Sequence, residues 1–196
     1  YTEWKDLATI EEGHYQTSGQ FNNKLGSAFN FHPVTVGQNG RVYAWGSNMA
    51  GEIGNGANSY QELGLPNPVG GLLLDKIVVD AIAGDRFSCA LTNDSQVYVW
   101  GYMGFVDPPV NSPLPVRLNL GEVLSEKNIT KLVSGDNHVM FVTSDGDVYG
   151  LGGNGNGQLC DLTISPSEVP VQVQRDEELY NEIIIDTATT LFHTVA

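Results

Sequence analysis

The chain has 196 residues, with 9 Lys plus Arg against 23 Asp plus Glu, a formal net charge of −14 and a pI near 4.4. It has no Lys/Arg cluster, and so no basic patch to release counterions from a phosphate backbone or an anionic lipid surface; nucleic acid and membrane are excluded as first partners. No apolar run reaches the roughly 18 residues of a spanning helix, the opening Tyr1-Thr2-Glu3-Trp4-Lys5 carries neither an initiator Met nor a signal peptide's basic and apolar regions, and Cys89 and Cys160 make one disulfide at most. So few cysteines fit a reducing, intracellular setting, while the sequons Asn93-Asp94-Ser95 and Asn128-Ile129-Thr130 leave secretion open.

In chain order, residues 1–25 read as a lead-in or the end of a preceding repeat. A self-similar unit then recurs over 26–80, 81–131 and 132–185, and 186–196 open a further copy. The anchor is Val42-Tyr43-Ala44-Trp45-Gly46, repeated as Val97-Tyr98-Val99-Trp100-Gly101 and Val148-Tyr149-Gly150-Leu151-Gly152 at offsets of 55 and 51 residues. Upstream, Gly84 to Thr92 and Gly135 to Thr143 hold the same register, and His32, Phe87 and His138 each stand ten residues before their Val-Tyr pair. His193 continues the series. Downstream, Pro68-Val69, Pro115-Val116 and Pro170-Val171 fit an outer edge strand, where proline is tolerated.

Within a copy the pattern is that of hairpins. Phe87 to Leu91 and Val97 to Trp100 are short β-rich runs joined by Thr92-Asn93-Asp94-Ser95-Gln96, and Asp145-Gly146 marks the matching tight turn. Ile77 to Ile82, Ile129 to Val133 and Ile183 to Asp186 supply one strand more upstream, which makes about four strands per copy. Only Asp176 to Asn181 suggests a helical turn.

These motifs, with Gly51-Glu52-Ile53-Gly54 and Gly157-Gln158-Leu159 after the aromatic-Gly strands and a Gly-x-x-His before the hairpin, resemble the regulator of chromosome condensation family. The resemblance spans residues 26 to 196. It implies an all-β, seven-bladed β-propeller type of fold, of which this chain holds about three and a half blades of four antiparallel strands, the rest coming from a longer chain or a second chain. It also implies a protein-protein interaction module that recognises its partner through propeller-face loops, in the nucleus or cytoplasm, with no cofactor and no catalytic chemistry of its own. Two alternatives stand beside it: a guanine-nucleotide exchange factor for a Ran-like small GTPase, and a secreted inhibitor-like propeller. Against exchange, the family's exchange factors carry an essential Asp just before the repeat His of the third copy, where this chain has Asn137, with Asp136 one position earlier. They also insert a β-wedge after the preceding aromatic-Gly, whereas Gly101 to Pro115 spans only 14 residues, against 18 and 22 in the sibling copies.

The segment that breaks the repeat is Tyr102-Met103-Gly104-Phe105-Val106-Asp107-Pro108-Pro109, with large apolar residues and two prolines where its siblings are small and polar. Exposed, such a rigid aromatic loop suits an interface hot spot; alternatively, Met103 and Phe105 fill the space of the missing loop or contact the next blade. Tyr102, Met103, Phe105, Asp107, Asp136 and Asn137 are therefore the candidate partner-binding residues. The histidines are read as packing and bonding within their own blades and not as zinc ligands, because Phe87 takes the same position. Ser88 and Cys89 look like strand residues, and Gly152 to Gly157 lacks the Lys-Ser/Thr and the helix of a phosphate loop.

Overall fold

The computed structural model describes residues 32–106, 110–175, 183–189 and 194–195. Three antiparallel meanders follow one another. The first contains β1 (Val34–Val36), β2 (Val42–Asn48) and β3 (Ser59–Pro68). The second runs β4 (Val78–Ala83), β5 (Phe87–Thr92), β6 (Val97–Met103) and β7 (Val110–Arg117), and the third β8 (Ile129–Ser134), β9 (His138–Thr143), β10 (Val148–Gly152) and β11 (Ser167–Gln172). In each sheet the strands pair in sequence order. A fourth sheet begins with β12 (Ala188–Thr189) and β13 (Thr194–Val195), and a 3-10 turn at Gly71–Leu73 joins the first sheet to the second.

The expected strand at Ile183 to Asp186 is instead a run-in to β12. Ile184 occupies the place of Val78 at the start of β4, but the ladder described in the fourth sheet is Ala188↔Val195 and Thr189↔Thr194. The Asp176 to Asn181 turn, His14 and His193 lie outside the described residues.

Both faces of β4, β5 and β6 in the second sheet are covered, which explains why these strands read as nearly continuous apolar runs. Successive side chains alternate between faces. Cys89, Leu91, Val97 and Val99 join Leu132, Val139, Phe141 and Leu151 of the third sheet in one core. Ala90, Tyr98 and Trp100 join Val34, Val42, Ala44 and Ile53 of the first in another. Met140, Val142, Val148 and Leu159 begin a third core with Ile184. The sheets therefore stack face to face, with β4 against β1 and β8, and β12 against β8.

Hydrogen bonds between equivalent positions stitch the stack at its inner edge. Ser134 Oγ donates to the Ala83 carbonyl at 2.8 Å, and Thr189 Oγ1 donates to the Ser134 carbonyl at 2.5 Å. The histidines also cross between sheets, correcting the expectation that each bonds within its own. His32 Nε2 lies 3.2 Å from the Phe87 carbonyl, and His138 Nε2 lies 3.3 Å from Thr194 Oγ1. An imidazole at this register is long enough to span the gap between neighbouring strands. At the other margin, prolines 66, 68, 113, 115 and 170 interrupt the outer strands β3, β7 and β11, which blunts them as edges for further pairing.

Candidate functional site

The site is built where the turns between the first two strands of a sheet meet the ends of its third strand. Gly84 N–H and Gly135 N–H close those turns onto the Phe87 and His138 carbonyls at 2.9 and 3.0 Å, and Asp85 N–H donates to the Asp136 carbonyl at 3.1 Å, tying one turn to the next. The strand ends lock in from the side: Tyr102 N–H donates to the Arg86 carbonyl and Gly153 N–H to the Asn137 carbonyl, both at 2.7 Å. Glycine is required there. Gly101 has φ +84°, and a Cβ on it would lie 2.3 Å from the Arg86 carbonyl oxygen.

Of the six predicted residues, Tyr102, Asp136 and Asn137 come together on this end. Tyr102 is 45% exposed and folds its ring over Gly104; Asp136 is half-buried and Asn137 exposed, with Asn137 Nδ2 3.3 Å from Asp136 Oδ2. Met103, read as a contact residue, is instead fully buried. It sits at the register of Asn48 and Asn154, the buried amides that hold the longer loops of the sibling sheets. Phe105 is half-buried: its ring meets Phe87 edge-on at 5.5 Å and 78°, and reaches Gly152 in the third sheet. The large residues of the divergent loop thus fill the space that their siblings fill with an amide-centred loop. Asp107 lies outside the described residues. The sequence reading missed Arg86, which is at Asn137's repeat position with 66% of its side chain exposed and a loose 3.8 Å ion pair to Asp85.

At the opposite end the hairpin tips carry acid–base pairs. Lys76 meets Asp94 at 3.0 Å, and Lys127 meets Asp145 at 2.5 Å and Asp147 at 2.8 Å. Hydrogen bonds from Lys127 and from Thr143 hold the Asp145 carboxyl down at about 2. Burial lowers His138 to about 4, so its ring is neutral at physiological pH. Cys89 and Cys160 are both free; burial pushes the Cys89 thiol well up, which leaves it inert as a nucleophile. Among the described residues no His, Cys, Asp and Glu group is placed to hold a metal ion.

The stacked meanders and their locked turns match a known repeat. The family model for the regulator of chromosome condensation (RCC1) repeat matches residues 39–91, and a second form of it matches 78–105 and 129–158. The chain belongs to the regulator of chromosome condensation repeat family. It is a partial β-propeller, and each sheet is a blade. The mouse (Mus musculus) regulator of chromosome condensation is 33% identical over 135 residues, an alignment covering 65% of this chain and 30% of that protein. The human (Homo sapiens) probable E3 ubiquitin-protein ligase HERC6 is 29% identical over 143 residues, covering 72% and 14%. The chain thus spans less than a third of these relatives' length. Among solved structures, human WBSCR16 superimposes with a TM-score of 0.72 at 20% identity, over 84% of this chain and 41% of that one. Prp20p from Saccharomyces cerevisiae, in a study of its binding to Gsp1p and histones, gives 0.67 at 17% identity over 84% and 40%. At these identities the likeness is one of fold. Among the described residues no helix is long and apolar enough to cross a membrane.

Proposed function

We propose that the chain works as a protein-interaction module in the nucleus or cytoplasm, and that its partner seats on the blade end carrying Arg86, Tyr102, Asp136 and Asn137, with Asp107 beside them in sequence. The observation that carries this reading is the backbone lock between the turns and strand ends of two blades, which presents an exposed tyrosine and polar groups of both signs on a surface that loses little entropy when bound. The test is a photo-crosslinking amino acid placed at Tyr102, and at Ile77 on the hairpin end as a control. A partner captured from position 102 and not from 77 supports the proposal. Capture from 77 alone refutes it.

A second reading is nucleotide exchange on a Ran-like GTPase, favoured by the similarity to the mouse regulator and to Prp20p, which binds Gsp1p. Asn137 argues against it, as does the β6–β7 pairing up to Met103↔Val110, which leaves only residues 104–109 to close that hairpin. Release of a fluorescent GDP analogue from a panel of small GTPases decides between the two. Acceleration supports exchange, and none across the panel removes it.

A further inference from the structure

The most exposed apolar residues of the third blade, Leu162 at 88% and Ile164 at 72%, invite reading as a partner site. The internal repeat shows what covers the same place on the first blade. The two loops are equivalent bond for bond. Ile53 and Leu159 N–H donate to the side-chain oxygens of Asn48 and Asn154 at 3.0 and 2.9 Å, and those amides donate to the Ala57 and Thr163 carbonyls at 2.8 and 3.1 Å. Ala57 and Thr163 N–H in turn bond Asn55 and Asp161 at 3.1 and 3.0 Å. Cys160 and Leu162 therefore stand at the positions of Gly54 and Gly56, and all four have positive φ.

On the first blade this loop is covered by the second. Gly56 N–H donates to the Pro113 carbonyl at 2.9 Å, and both Trp100 Nε1 and Ser88 Oγ donate to the Glu52 carbonyl, at 2.7 and 3.0 Å. The fourth blade begins to cover the third in the same way: Thr194 Oγ1, at the register of Ser88, donates to the Gln158 carbonyl at 2.8 Å. One feature differs. A Cβ on Gly54 would lie 2.8 Å from Trp100 Nε1 and 2.9 Å from Val69 Cγ1, so the indole sits where only glycine leaves room. Cys160 carries that Cβ, and both it and Leu162 hold a left-handed backbone that L residues adopt at a cost. A blade without that tryptophan already exists in this chain, since the third blade has Leu151 in its place.

We infer that Cys160, Leu162 and Ile164 form the seat of the blade that β12 and β13 begin, and that Cys160 admits there only a blade lacking tryptophan at the register of Trp100. The flank is an interface between repeats, and its side chains fix which repeat follows which. Two experiments on the intact protein test this. Leu162→Asp, a residue that tolerates the same φ, is expected to lower Tm by at least about 5 °C if a blade covers the loop; an unchanged Tm overturns the seat. Gly54→Cys recreates the third blade's loop beneath Trp100. It is expected to lower the urea midpoint, and Trp100→Leu in the same chain to recover part of that loss, so that the double variant is more stable than the sum of the singles. Additive losses overturn the selectivity, as does a tryptophan found at that register in the blade covering Cys160. Should Gly54→Cys fail to fold, Gly54→Ala with the same partner substitution gives the same comparison.

Discussion

Replacing Asn154 by Ala removes the amide around which the third blade's long loop is folded. Asn154 is fully buried; its Oδ1 accepts the Leu159 N–H at 2.9 Å, and its Nδ2 donates to the Thr163 carbonyl at 3.1 Å and to Asp161 Oδ1 at 2.9 Å. Thr163 and Asp161 lie near solvent and can turn to water in the variant. The Leu159 N–H cannot, because Leu159 is wholly buried. A stranded buried donor costs about 1–3 kcal/mol, and the lost amide bonds add about 1 kcal/mol, for a total of about 2–4 kcal/mol. With a urea slope of about 2 kcal/mol/M, the midpoint is expected to fall by about 1–2 M. Hydrogen exchange at the Leu159 amide should accelerate in step. A loss under about 0.5 kcal/mol, or unchanged protection at Leu159, would refute the assignment of Asn154 as the loop's organiser. Asn154→Asp separates the two halves of the amide: it keeps the acceptor but sets a carboxylate against Asp161, so its penalty is expected to be larger at pH 7 than at pH 3.

The divergent loop divides into a packed and a presented half. Phe105→Ala, which loses an edge-on ring contact and buried area, is expected to cost about 2–3 kcal/mol in urea unfolding, whereas Tyr102→Ala stays within about 0.5 kcal/mol and weakens partner capture. The reverse order would move Phe105 to the interface. His138 is held near 4 when folded and titrates near 6.5 when unfolded, so the unfolded chain binds the extra proton between those values. Stability is therefore expected to fall as pH drops from about 6.5 to about 4, and His138→Phe, which copies Phe87, to flatten that limb of a thermal-melt profile. Asp145 has the carboxylate sign: its stabilisation is present above the unfolded value near 3.8 and is lost as pH falls toward 2. An NMR titration should place its midpoint near 2, rising toward the ordinary value in Lys127→Ala.

Much of this architecture is legible in the sequence because a meander keeps neighbours in order. The Val-Tyr register placed β2, β6 and β10, and the Asn-Asp-Ser and Asp-Gly turns placed their hairpins. What the register does not reveal is which residue faces across a gap between repeats. The bonds from His32 to Phe87 and from Ser134 to Ala83 join positions 55 and 51 residues apart, and their existence depends on how closely two sheets approach, a distance the period does not contain. Arg86 was missed for a related reason. Its repeat equivalent, Asn137, drew notice through the family resemblance, which implies an Asp just before the repeat His, while Arg86 precedes a phenylalanine. The burial of Met103 was within reach, since it lies six residues after Val97 just as Asn48 and Asn154 follow Val42 and Val148. An amide and a thioether do not look alike, however, until the space around them is seen.

The stitch at the inner edge has a consequence for how such a chain can grow. Thr189 bonds the Ser134 carbonyl and Ser134 bonds the Ala83 carbonyl, each hydroxyl reaching back to its own counterpart one copy earlier. A bond of this kind needs no partner side chain, only a main-chain oxygen that every copy already offers. A duplicated unit therefore arrives with half of its joint made, and a single hydroxyl completes it. Ala83 has no side-chain hydroxyl, and the junction between the first two blades includes the Trp100 indole on Glu52.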